Sequence, residues 1–170
     1  MSATLRTATP GDLPAMTAIY NEAVVSSLAT FEIHPRGTEH YATAVASARR
    51  GDHVVVAEHR GRVLGMAYSG TYRARPAYDA TREVSIYLAT DARGGGLGRR
   101  LYGELLARVD ADGIHTCLAV IAQPNPASEA LHRAVGFEPA GILREVGRKF
   151  DRWVDTGWWQ RMHPGHPTGR

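Results

Sequence analysis

The chain has 170 residues, 44% hydrophobic and 22% charged, which suits one compact domain with a real core and leaves little room for a second. Its net charge of +3 rests almost wholly on arginines scattered along the sequence, which argues against nucleic-acid binding and suits a small polyanionic ligand equally well. No segment approaches the roughly eighteen consecutive apolar residues of a membrane span, and Met1–Thr9 lacks an apolar core, so neither span nor secretory signal is expected and the cytoplasm is the expected compartment.

Leu5 to Ala8 reads as a first strand, and Asp12 offers an N-cap to a helix with Leu13, Met16, Ile19, Tyr20 and Val24 at helical spacing. After an irregular stretch with Phe31 and Pro35, Thr38 caps a second expected helix that ends near Arg50 and Gly51. Val54 to His59 and Val63 to Ser69 form a hairpin around Arg60-Gly61-Arg62. A loop rich in Arg, Tyr and Pro leads to a strand over Glu83 to Leu88. Gly98 opens an amphipathic helix carrying Leu101, Tyr102, Leu105, Leu106 and Val109, which Gly113 stops.

His115 to Ala122 reads as a buried strand that packs the one cysteine, Cys117, away from any disulfide. A shorter helix over Ser128 to Val135 ends at Gly136. Two strands, Phe137 to Gly147 and Trp153 to Met162, precede a frayed tail from His163 to Arg170. The order implies a single α/β domain, a mixed sheet with helices on its faces rather than a regular doubly wound repeat. His163 and His166 have no third companion in that tail, so no metal site is expected.

Arg93-Gly94-Gly95-Gly96-Leu97-Gly98-Arg99-Arg100 lies between an expected strand and an expected helix, where glycines let backbone N–H groups turn inward and the helix N-terminus adds partial positive charge. Phosphate is the natural ligand. A Walker A loop needs Gly-Lys-Ser/Thr, but Arg99 and Arg100 follow Gly98; a dinucleotide fingerprint needs a small residue where Arg99 or Leu101 stands. The third reading is the acetyl-CoA loop of GNAT acetyltransferases, Gln/Arg-x-x-Gly-x-Gly/Ala, matched by Arg93, Gly96 and Gly98.

With that loop placed, the chain resembles the phosphinothricin and methionine-sulfoximine acetyltransferase branch of the GNAT superfamily from about Leu5 to Met162. The match is carried by Asp12-Leu13-Pro14-Ala15, Thr30-Phe31-Glu32, Tyr72-Arg73-Ala74-Arg75-Pro76-Ala77-Tyr78, Glu83-Val84-Ser85-Ile86-Tyr87, Lys149-Phe150-Asp151-Arg152-Trp153 and Asp155. Asn125-Pro126-Ala127-Ser128, with Leu131-His132 and Gly136-Phe137, is similar to the superfamily's second CoA motif. The resemblance implies a sheet splayed between the strand of Glu83 to Leu88 and that of His115 to Ala122. Acetyl-CoA would be held by Ile86, Tyr87, Leu88, the loop Arg93, Gly94, Gly95, Gly96, Leu97, Gly98 and Arg99, and by Asn125 and Ser128. Backbone groups of Ile86, Tyr87 and Leu88 would pair with the pantetheine, and a homodimer is implied.

Chemistry then asks for a base, because an amine that is protonated at neutral pH must lose a proton before it attacks a thioester. Glu83 is the candidate, His132 the candidate acid or second base, and Arg73 and Arg75, flanked by Tyr72 and Tyr78, are candidates to grip a substrate carboxylate or phosphinate. Phe31, Ser85 and Tyr87 complete the expected substrate pocket, whereas Trp153, Trp158 and Trp159 are expected in the core or a dimer surface. Each has a plainer reading: a solvated glutamate, a surface histidine, arginines on an exposed loop. Two positions depart from the branch beside the expected pocket, Arg82 where an apolar residue is usual and Ala80 where tryptophan is frequent. The expected function is transfer of acetyl to a small amino-acid analogue, with detoxification implied by the resemblance; the rivals are another small amine substrate or a CoA-binding sensor without turnover.

Overall fold

A computed structural model describes residues 3–165; Met1, Ser2 and residues 166–170, the last of which belong to the expected tail, lie outside the described residues. Seven strands form one sheet: β1 (Thr4–Thr7), β2 (Val54–His59), β3 (Arg62–Thr71), β4 (Thr81–Leu88), β5 (Thr116–Ala122), β6 (Glu138–Lys149) and β7 (Arg152–Met162), in spatial order β1-β2-β3-β4-β5-β7-β6. All neighbours run antiparallel except β4 and β5. Helices α1 (Leu13–Ser26) and α2 (Ala42–Ala46) lie on one face, α3 (Leu97–Ala111) and α4 (Pro126–Ala134) on the other.

The core forms where these faces meet. Met16, Val55, Val56, Met66, Leu101, Leu105 and Val109 are completely covered. Burying each such side chain contributes roughly 1.5–3 kcal/mol before entropy is counted. Cys117 is buried among them, and burial pushes its thiol up to about 12, as befits a packing residue.

The parallel pairing of β4 and β5 covers only Thr81 with Thr116, Arg82 with Cys117 and Glu83 with Leu118. Beyond Glu83 the two strands part, and the sheet is splayed as the resemblance implies. Both strands have unpaired backbone inside the opening, so a ligand there meets ready donors and acceptors.

Several local expectations change. The Asp12 carboxylate does not cap α1: it accepts from the Thr9 backbone and hydroxyl at 2.7 and 2.9 Å and pairs with Arg6, closing a 3₁₀ turn over Pro10–Asp12. The second helix is short. A 3₁₀ turn over Thr38–Tyr41, entered from Gly37 without a Thr38 cap, runs into α2, which stops at Ala46 because Ser47 is extended and its hydroxyl bonds Asp52. Gly96, not Gly98, opens α3, with φ of 76° that a side chain would oppose. His163, where the expected tail begins, is tied down rather than frayed, its backbone N–H donating to the His115 carbonyl and its Nε2 lying 3.1 Å from the Asp110 carbonyl.

Candidate active site

A cleft opens where β4 and β5 diverge, lined by Ala29, Val84, Ser85, Ile86, Tyr87, Val120, Ile121, Ala122, Asn125, Ser128 and His132. The two-residue period of β4 sorts its side chains. Glu83, Ser85 and Tyr87 face α1; Arg82, Val84, Ile86 and Leu88 face α3 and α4. The Ala89 N–H donates to the Leu64 carbonyl at 2.9 Å, which sets the ladder phase so that Tyr87 shares backbone bonds with β3 while the backbone groups of Ile86 and Leu88 turn into the opening. Tyr87 meets the cleft through its ring, whose hydroxyl reaches the Ala29 carbonyl at 3.5 Å.

Glu83 stands at the last paired position of β4, half-buried. Burial raises its pKa above the carboxylate value, and the positive charge of Arg73 partly opposes that. The raised value favours a carboxylate able to accept a proton near neutrality. Arg73 stacks on the Tyr72 ring at 5.1 Å; Tyr72 packs edge-on against Tyr78 at 5.4 Å and against Trp158 at 6.3 Å. Arg75 is exposed on the same loop. Trp158, read from sequence as core or dimer surface, therefore touches the arginine loop, and its buried indole N–H has no hydrogen-bond partner among the described residues.

Arg82 does not lie beside the pocket. Alternation turns it to the opposite face, fully buried, where Nε pairs with Asp52 Oδ1 at 2.9 Å and the guanidinium also donates to the carbonyls of Asp79, Thr81 and Arg50. It ties the base of β4 to the loop that precedes β2. Ala80 sits at that base too, its carbonyl accepting from His115 and Thr116.

His132 enters the cleft from α4. Its Nδ1 is 2.8 Å from the Ser128 carbonyl, which can only accept, so Nδ1 carries the proton, and Nε2 takes the Tyr102 hydroxyl at 3.1 Å. Burial lowers its pKa, so the ring is neutral. Asn125 caps α4 by accepting from the Ser128 N–H at 3.1 Å.

At the other end of β4, Arg93 donates to the Leu88 carbonyl at 3.1 and 3.3 Å. Gly94 and Gly96 both have positive φ, a Cβ on Gly94, Gly95 or Gly96 would meet open space, and Leu97 and Gly98 are buried beneath. Among the described residues, no backbone amide from Gly94 to Arg99 donates to another protein group. A row of free amides at a helix N-terminus, with arginines on either side, fits a diphosphate.

The GNAT acetyltransferase domain model matches residues 5–158. The chain belongs to the GNAT acetyltransferases. It is an acetyl-CoA-dependent N-acetyltransferase, and its relatives narrow the branch. A phosphinothricin N-acetyltransferase of Alcaligenes faecalis is 43% identical over 168 residues, 97% of this chain and 85% of the relative. An L-methionine sulfoximine/L-methionine sulfone acetyltransferase of Pseudomonas paraeruginosa is 41% identical over 162 residues, covering 94% of each. A GNAT phosphinothricin acetyltransferase from Sinorhizobium meliloti, solved with AcCoA, superposes with a TM-score of 0.90 at 42% identity, covering 96% of this N-acetyltransferase and 89% of that chain.

Three neighbours of the cleft carry little signal in sequence. Tyr20 and Tyr68 are ordinary residues in helical and strand periodicity and Ala29 sits in an irregular segment, and only the fold sets Tyr20 edge-on to Tyr87 at 5.1 Å and stacks Tyr68 on Tyr87 at 6.5 Å.

Proposed function

We propose that this N-acetyltransferase acetylates the α-amine of a small amino-acid analogue of the phosphinothricin, methionine sulfoximine or methionine sulfone type, with Glu83 as base. The observation that carries the reading is the place of Glu83, half-buried at the edge of the splay with the cation Arg73 close enough to act on it. The names of the relatives support the substrate class.

When bound, acetyl-CoA supplies an acyl group activated as a thioester. The Gly94 to Arg99 loop would hold its diphosphate, Arg93, Asn125 and Ser128 would border the pantetheine arm, and Ile86 and Leu88 would pair with that arm like an added strand. The Leu88 N–H also suits an oxygen that gains negative charge in the opening. Glu83 takes the proton that a substrate ammonium must lose to free its lone pair. Arg73 and Arg75 grip the substrate's acid group, and Phe31, Tyr78, Ser85 and Tyr87 border its chain. His132, neutral with Nδ1–H on the Ser128 carbonyl, serves as the second proton carrier through Nε2 and Tyr102.

Detoxification in the cytoplasm, where acetyl-CoA is available, follows from that substrate class. A homodimer is part of the same proposal: Ile142, Val146 and Trp153 on the β6–β7 arm are 64%, 54% and 61% exposed, an apolar surface suited to a second copy. Sedimentation of the purified chain tests it.

The test of function is release of free CoA from acetyl-CoA with phosphinothricin, methionine sulfoximine, methionine sulfone, common amino acids and polyamines. Turnover confined to the first three supports the substrate class. Turnover with another amine replaces the substrate and keeps the enzyme, and CoA binding without turnover identifies a sensor.

A further inference from the structure

The chain's twenty lysines and arginines include one lysine, Lys149, and it is 4% exposed. Its ammonium donates to the Thr30 carbonyl at 2.7 Å across 119 residues of sequence, and lies 5.1 Å from the Phe150 ring centre. A buried ammonium costs free energy unless its partner is fixed, so the compact head group has a position to hold.

That position is a bridge over the splay. The Ala29–Phe31 segment belongs to the β1–β4 half: the Tyr20 hydroxyl meets the Thr30 hydroxyl at 2.8 Å, and Tyr87 reaches the Ala29 carbonyl. Lys149 belongs to the β5–β7–β6 half. Two residues earlier on the same strand, Gly147 receives the Phe31 ring so closely that a Cβ there would overlap it. Gly147 has no positive φ, so contact with Phe31 and not backbone conformation excludes a side chain. Ala29 lines the cleft directly beneath this bridge.

We propose that Lys149 and Gly147 form a latch that holds Ala29–Phe31 as the roof of the amine pocket and thereby set which substrate side chains fit. Lys149 is a positioning residue: it acts on substrate through Thr30 and Phe31. The inference rests on the proposed acetylation of an amine in the splay, and acetyl-CoA, held on the opposite side by α3 and α4, is indifferent to the latch.

The test compares wild type, Lys149→Met and Gly147→Ala by steady-state kinetics and by hydrogen exchange of the amides of residues 29–33. The latch predicts that both variants raise KM for the amine about tenfold or more, leave KM for acetyl-CoA within about twofold, and improve relative kcat/KM for amines with longer side chains. Exchange at 29–33 speeds up in Lys149→Met while α3 amides stay protected. Adding Phe31→Ala to Gly147→Ala relieves the overlap and recovers the melting temperature. Unchanged amine KM, or equal losses for amine and acetyl-CoA, overturns the proposal. If wild type turns over no amine, the functional reading fails by itself, and exchange still decides the latch: faster exchange at 29–33 in Lys149→Met supports it, unchanged exchange overturns it.

Discussion

Tyr102 and His132, thirty residues apart in sequence, meet through a 3.1 Å hydrogen bond beneath the cleft, and the Ser128 carbonyl on the other ring nitrogen fixes which of them donates. Tyr102→Phe strips the donor from a buried acceptor and is expected to lower stability by about 1–3 kcal/mol. Denaturant titration checks the energy, and the ¹⁵N shifts of the His132 ring check the Nδ1–H tautomer in wild type.

The neutral state of His132 also sets a pH dependence. Its folded pKa lies below the ordinary 6.5, so the unfolded chain binds the proton more readily and stability falls as pH drops below about 6.5. His132→Gln is expected to flatten that slope, as melting temperatures across pH 5–8 would reveal.

Asp12 has the opposite charge and a similar logic. The hydrogen bonds from Arg6, supported by Thr9, hold its carboxyl down at about 2 against an ordinary 3.8. The depressed value stabilises the fold above the ordinary pKa and is lost as pH falls toward about 2. Asp12→Asn should therefore cost about 1–2 kcal/mol at neutral pH, allowing for solvent around Arg6, and almost nothing near pH 2.

Arg82 separates fold from chemistry. Arg82→Leu leaves Asp52 without its buried partner and is expected to destabilise by about 3–5 kcal/mol. Adding Asp52→Leu removes the orphaned charge and recovers much of the loss. Because Arg82 is taken up by Asp52 at the base of β4 and does not line the cleft, KM for the amine at a temperature where the protein remains folded should stay within about twofold of wild type.

The phosphate loop makes a prediction of its own. Gly96→Ala forces a side chain into positive φ at the start of α3, so KM for acetyl-CoA should rise about tenfold or more while KM for the amine stays. Initial-rate kinetics with each substrate varied checks it.

What the sequence revealed follows the range of each interaction. The glycine loop after Arg93, the strand of Glu83 and the helix of Leu101 to Val109 are local patterns, and all three are present, with the helix opened by Gly96, two residues earlier than Gly98, because the left-handed turn falls there. The splay came from resemblance, because no periodicity reports where two strands part. Arg82 could have been read from alternation: next to an inward Glu83 it must face the other way. The Thr30–Lys149 and Tyr102–His132 contacts join segments 119 and 30 residues apart, and nothing in either segment alone names its partner.

Glu83 is the hinge of the account, and the most direct measurement is kcat against pH for wild type and Glu83→Gln with the best amine at saturating acetyl-CoA. Burial raises the Glu83 pKa, so wild-type kcat should fall as pH drops through a value above the ordinary 4.5, where the carboxylate takes up its proton. Glu83→Gln should lose that acid limb and about 10²–10⁴ of its rate. A glutamine variant that keeps both the wild-type rate and the same acid limb would contradict Glu83 as the base.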